Sequence, residues 1–300
     1  MVTRSVCFLL LTVTLLMAYR TKNGRTYHDP SRYPWPNDKQ EQQRQVMLHE
    51  QCLISNDGQL VCCPQERYQR VLDIGTGTGI WAMEFADKHP GATVIGVDLS
   101  PIQPQWVPLN CNFEIDNVEL EWTWSGDFDF IHGRMLGGCF EDPASIFNKS
   151  FEKLKRGSYL EVADVLLIPK CDDGTLRPDS QLLRWAGLLA KAADKMGRPI
   201  NPASRYEQML AKAGFEDIKV IEAKWPSNRW AKDQKLRVLG YLNSKTLQEE
   251  LEAISMALLT RGLGWGSFEV NVLCAYVRRE LMNPNIHVYF PFITAYGKKP

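Results

Sequence analysis

The stretch that most restricts the fold of this chain is VLDIGTGTGIW, residues 71–81. Branched and leucine side chains lead into Asp73, glycines follow at 75, 77 and 79, and an apolar segment then begins. That order spells a strand, a tight turn and a helix start. Glycine suits the turn because a backbone without Cβ adopts positive φ and lets a ligand come close. From residue 70 onward the alternation continues. Strands are expected at RVLDIG, TVIGVDL, CNFEI, FDFIHG, SYLEVADV, DIKVIEAKW and HVYFPFITAYG, and helices over 80–89, 144–154, 180–196 and 205–213. This pattern predicts an α/β fold: a Rossmann-like, doubly wound sheet of seven strands with helices on both faces. A helical stretch of about 233–283 is inserted before the last strand. It would lie over the ligand end of the sheet as a lid or acceptor pocket, or only cover apolar surface.

The glycine spacing narrows the ligand. A dinucleotide turn reads G-x-G-x-x-G, its third glycine letting the helix pack closely below a pyrophosphate. Here that third position is Ile80, which disfavours NAD and fits a turn approaching the amino-acid and ribose parts of S-adenosyl-L-methionine. Asp98 closes the second strand in GVDLSP, where a carboxylate can accept from both ribose hydroxyls or cap a turn. The cofactor-binding candidates are therefore Asp73, Gly75, Thr76, Gly77, Gly79, Asp98 and Leu99. Asp116 or Asn117 in FEIDN could receive the adenine amino group, or stand solvated in a loop. His132 in FDFIHGRML ends a strand where an acceptor would meet the methyl group. It can act as a catalytic general base, or as a hydrogen-bonded structural histidine.

Composition removes other classes. Lys plus Arg and Asp plus Glu number 35 each, so no overall field draws the chain to nucleic acid, and direct nucleic-acid binding is not expected. The 8 cysteines form no C-x-x-C pair or His/Cys cluster, so no metal centre is expected and they read as reduced, mostly buried residues of an intracellular protein, with a disulfide framework as the weaker alternative. Residues 1–18 are apolar but short of the ~20 residues of a membrane span. A buried first helix, a short membrane anchor and a mispredicted start of the coding sequence all remain open for them. In the N-terminal extension, 19–69, the capping-box spacing of Asn37 and Gln40 predicts a helix over 38–52, ahead of the α/β unit at 70–300. The NKS triplet at 148–150 is a glycosylation sequon inside a predicted helix.

Together these residues resemble the class I S-adenosylmethionine-dependent methyltransferases and, more narrowly, the LaeA-like fungal methyltransferases of secondary metabolism. The likeness runs from residue 19 to the end, through YPWPND, VLDIGTGTGIWAMEFAD, VIGVDLSPIQPQWVPLNCNFEIDN, FDFIHGRMLGG, DDGTL, GRPI, AGFEDI and HVYFPFITAYGKKP. It implies that Gly75, Gly77, Gly79 and Asp98 line the cofactor, with Asp116 and Asn117 at the adenine. One departure is LKRGSYLE, where relatives read L-K-P-G-G-Y-L-E, which leaves the turn there to Gly157. The resemblance implies methyl transfer to a small-molecule acceptor in the cytoplasm or nucleus. Its rival is a nuclear regulator of gene clusters working within a protein complex; an NAD-linked reductase is a third reading. Transfer from a sulfonium is an in-line displacement, so the protein must chiefly align the acceptor and exclude water. Acceptor contacts are expected from Tyr27, Tyr33 and Trp35 and from the region of Trp265 and Phe268.

Overall fold

The structure, a computed structural model, describes residues 20–22, 24–28 and 33–300. The apolar segment 1–18 lies outside them. Among the described residues no helix is long and apolar enough to cross a membrane. A two-stranded ribbon, β1 (Arg20–Lys22) and β2 (Arg25–Tyr27), precedes helix α1 (Lys39–Ser55). The central unit runs β3 (Arg70–Ile74), α2 (Ile80–Lys88), β4 (Thr93–Asp98), β5 (Cys111–Ile115), β6 (Phe128–Arg134), α3 (Pro143–Lys153) and β7 (Leu154–Val165). It continues through α4 (Gln181–Lys195), a 3-10 turn (Pro202–Arg205), α5 (Tyr206–Ala213), β8 (Glu216–Pro226), α6 (Gln234–Gly262), α7 (Ser267–Met282) and β9 (Tyr289–Lys298).

The seven expected strands form one sheet in the order β5-β4-β3-β6-β7-β9-β8. The pairs from β5 to β7 are parallel, whereas β9 runs antiparallel between β7 and β8. Strand order reverses between β4 and β6 on either side of β3, so a crevice opens at the carboxyl ends of these strands. Central strands covered by helices on both faces must be apolar throughout, and Val71, Leu72 and Ile74 of β3 are buried accordingly. One face packs Leu72, Ile131, Leu160 and Ile293 against Ile146 and Phe147 of α3 and Leu210 of α5. The other packs Val71, Val94 and Phe130 against Trp81 and Phe85 of α2. Edge strand β8 exposes Val220 and Ile221, and interleaved Lys219, Glu222 and Lys224 guard that edge against pairing with another chain.

The stretch 233–283 is two helices, and they do different work. Helices α6 and α7 form a second apolar layer with α4, through Trp185, Leu189, Leu258, Val270 and Val277. Glu280 of α7 accepts from the amides of Gln181 at 3.0 Å and Leu182 at 2.9 Å, placing a carboxylate at the amino end of α4. Only α6 reaches the crevice.

Two local expectations are corrected and a third is met. Helix α1 is capped by Asp38, not Asn37: the Asp38 carboxylate accepts from Glu41 N at 3.0 Å while Arg25 holds its outer side at 2.6 Å. Asn37 points inward instead, its Nδ2 donating to Ser100 Oγ at 3.2 Å. The LKRGSYLE segment is not a turn ahead of a strand. Helix α3 leads directly into β7, and Gly157 at φ 81° sits where the register with β6 shifts between Phe128 and Phe130. The NKS triplet lies in a helix as expected: Ser150 is buried in α3 and donates to Ile146 O at 2.7 Å.

Candidate functional site

A cavity of about 190 Å³ opens at the carboxyl ends of β3, β4, β6 and β7. Asp73, Gly75, Thr76, Gly77, Asp98, Leu99, Asp116, Asn117 and His132 all line it. The parallel register explains this convergence: Asp73 pairs with Gly96 and with His132, so three strand ends rise to one level.

The glycine turn is built from its own polar contacts. Thr76 N donates to Val97 O at 3.0 Å, Thr76 Oγ1 to Asp73 Oδ2 at 2.5 Å, and Gly79 N to Thr76 O at 2.9 Å. Gly75 and Gly77 both have positive φ, at 64° and 57°. A Cβ on Gly77 would stand 2.5 Å from Gln45 Oε1, which itself accepts from Thr78 N at 3.1 Å. Asp98 grips the same turn: its Oδ2 accepts from Gly77 N at 2.8 Å and its Oδ1 from Ser100 N at 2.8 Å. Burial raises the pKa of Asp98 while these amides hold the charged form. Gln103 closes the turn from outside, donating to Gly77 O at 2.6 Å.

Gly79 itself is not in the cavity wall, although Thr78 and Ile80 on either side of it are. It is the left-handed residue before α2, at φ 78°, and a Cβ there would fall 2.2 Å from the Phe113 ring. Its role is close packing of helix against sheet. His132 is held in place: Nδ1 lies 2.7 Å from Asp73 Oδ1, and the ring stacks on Trp81 at 3.7 Å and 7°. Burial lowers its pKa against the pull of Asp73. Asp116 and Asn117 form a small turn of their own, with Asn117 N on Asp116 Oδ1 at 2.7 Å and Glu119 N on Asn117 Oδ1 at 3.0 Å.

Sequence reasoning missed much of the remaining wall. Helix α1 contributes Glu41, Arg44, Gln45 and Leu48, and α6 contributes Asn243, Thr246, Leu247, Glu250 and Ile254. Arg44 donates both Nε and Nη2 to Glu41 and also pairs with Glu250. Burial works against the charge of Arg44, but the two carboxylates prevail and raise its pKa; burial raises that of Glu250. The i, i+3 spacing of Glu41 and Arg44 was the one available signal. Arg134 ends β6, and Asp164 near the end of β7 accepts from Leu136 N at 3.0 Å, Gly137 N at 3.2 Å and the Tyr206 hydroxyl. Burial pushes the Asp164 carboxyl up to about 6. Of the expected acceptor contacts, Tyr33 and Trp35 line the cavity, and Trp35 Nε1 donates to Gly137 O at 2.8 Å. Tyr27, Trp265 and Phe268 do not: Tyr27 is buried beneath Arg261, and Phe268 is 79% exposed on α7. Among the described residues no cluster of His, Cys, Asp and Glu could hold a metal ion.

Comparison with known proteins gives this cavity a context. Residues 41–220 match the family model of a methyltransferase domain. The chain is 40% identical over 286 residues to methyltransferase pytC of Aspergillus terreus, covering 94% of this chain and 88% of that one. It is 39% identical over 278 residues to the secondary metabolism regulator LAE1 of Cochliobolus heterostrophus, covering 89% and 91%. Among solved structures it is similar to phosphoethanolamine N-methyltransferase 2 of Haemonchus contortus, with a TM-score of 0.55 at 14% identity, over 100% of this chain and 75% of that one; this shows the shared fold. A reversed-order sheet, a glycine turn held by the carboxylate of the next strand, and these likenesses agree: the chain belongs to the methyltransferase-domain family, within the LaeA-like group of fungal secondary-metabolism proteins.

Proposed function

We propose that this methyltransferase uses S-adenosyl-L-methionine, bound across the glycine turn, to methylate a small-molecule acceptor of fungal secondary metabolism. The observation that carries the reading is the pairing of Gly77 and Asp98 at the cavity wall: a turn with no side chain, fixed by the carboxylate that closes the next strand. In this reading Asp98 receives the ribose hydroxyls, Gly75 and Gly77 give the backbone room to approach, and Asp116 with Asn117 borders the adenine. Asp73, Thr76 and Leu99 hold the turn and its flank. When bound, the sulfonium supplies a methyl group already activated for displacement. The chain's own task is to orient the acceptor and keep water out. Tyr33, Trp35, Trp225, Phe290, Leu247 and Ile254 supply apolar walls for that purpose. Asp164 fixes the loop after β6 through Leu136 and Gly137, and Trp35 braces the same loop from the N-terminal extension. Residues 70–300 then form the catalytic unit and 19–69 an extension that completes its cavity.

Titration calorimetry of the chain with S-adenosyl-L-methionine and separately with NADH tests the assignment. Only the first ligand should bind. Gly77→Arg should abolish binding, and Asp98→Ala should weaken it by about 1–3 kcal/mol, the scale of hydrogen bonds to a charged group. Binding of NADH alone would refute the reading. The identity with LAE1 supports a second reading, a nuclear regulator whose acceptor is a protein. Co-purification with regulatory proteins, without turnover of any metabolite of a gene cluster, would favour it.

A further inference from the structure

Among the described residues two guanidinium groups line the cavity, those of Arg44 and Arg134, and their surroundings differ. Arg44 lies between Glu41 and Glu250, so its charge is already answered. Arg134 is half-buried, and among the described residues its side chain pairs with no carboxylate; its Nη2 donates to Nδ1 of His49 at 2.9 Å. His49 is wholly buried, and burial together with Arg134 itself depresses its pKa to about 4, so it accepts as a neutral imidazole. Its other ring nitrogen lies 3.2 Å from Glu84. The imidazole therefore aims the guanidinium without cancelling its charge.

A half-buried cation with no carboxylate partner bears part of the cost of a buried charge. Its position gives that cost a purpose. Ile74 pairs with Gly133 across β3 and β6, which sets Arg134 level with Gly75, the first residue of the glycine turn. The amino-acid part of a sulfonium donor lies at that turn under the reading above, on which this inference rests.

We propose that Arg134 binds the carboxylate of the methyl donor's methionine moiety, with His49 as its positioning residue. A guanidinium offers a planar pair of N–H groups that matches a carboxylate. The other source of the same chemistry, a carboxylate on the acceptor, is separated by working without acceptor.

The test is the affinity of the full chain for S-adenosyl-L-methionine against decarboxylated S-adenosylmethionine, which lacks only that carboxylate. The unsubstituted chain should prefer the first by about tenfold or more, the scale of a charge-assisted hydrogen bond. In Arg134→Gln the ratio should fall to near one, and in Arg134→Lys to an intermediate value. Because each ratio is taken within one variant, a general loss of stability does not imitate the effect. If Arg134→Gln does not fold, Arg134→Lys decides, since its ratio must drop below that of the unsubstituted chain. A ratio in Arg134→Gln equal to that of the unsubstituted chain overturns the inference while leaving the donor assignment intact. So does an unsubstituted chain that binds both ligands equally. Binding of neither ligand by the unsubstituted chain removes the donor assignment itself.

Discussion

Asp73 ties three parts of the site together at the scale of one residue. One oxygen takes the Thr76 hydroxyl that shapes the glycine turn, and the other takes His132 from the neighbouring strand. With Trp81 stacked on its face, His132 is a support for that carboxylate, and His132→Asn should cost stability on the scale of about 1–3 kcal/mol of a buried charged hydrogen bond. Urea unfolding monitored by fluorescence measures it. A buried histidine also carries a pH signature. His49 has its pKa depressed to about 4 in the folded chain, below the unfolded value of 6.5. As pH falls below 6.5 the unfolded chain takes up a proton that the folded chain refuses, so the contribution of this group to stability declines until about pH 4. His49→Gln should flatten that part of the stability profile relative to the unsubstituted chain, and an unchanged slope in denaturation from pH 7 to 4 would sink the assignment.

Among the elements, α6 reaches the cavity because two of its glycines let it come close to its neighbours. A Cβ on Gly240 would fall 2.0 Å from Asn228 O, and one on Gly262 would fall 2.5 Å from Ala192 O. Ala is the better helix former by about 1 kcal/mol in an open helix. Gly240→Ala should nevertheless destabilise the chain, by about 1–3 kcal/mol, because backbone rather than a flexible side chain must move. Guanidinium unfolding of the two proteins checks the sign. The same logic separates α1 from its expected start. Asn37 and Asp38 are both good capping residues. The choice fell to Asp38 because Arg25 of the preceding ribbon neutralises it, a partner that lies 13 residues away.

At the scale of the molecule, the cavity is a joint product of α1, the glycine turn with the strand ends, and α6. A ligand bound there holds the three together, so saturation with S-adenosyl-L-methionine at about a hundred times its Kd should stabilise the fold by about 2.7 kcal/mol. That corresponds to a rise of about 4–5 °C in Tm, with no rise for NADH, in differential scanning fluorimetry. The sheet and the turn were legible beforehand for a local reason. Glycine spacing, the carboxylate Asp98 at a strand end and the alternation of strand and helix are set by neighbours in sequence, and they sufficed for the seven strands, while the resemblance carried by the longer motifs pointed to the family. Gly79 and Ile80 show the limit of that reading: a positive φ was predictable, but the Phe113 ring that turns Gly79 into a packing residue comes from another strand. The wall from α1 and α6, the isolation of Arg134 beside a neutral His49, and the exclusion of Phe268 from the site depend on segments far apart in sequence. Their distances exist only once the apolar layers have packed. Local periodicity thus determined which elements form and what the turn can hold, whereas tertiary packing decided which charges face the cavity unpaired, because burial and ion pairing depend on all of the neighbours at once.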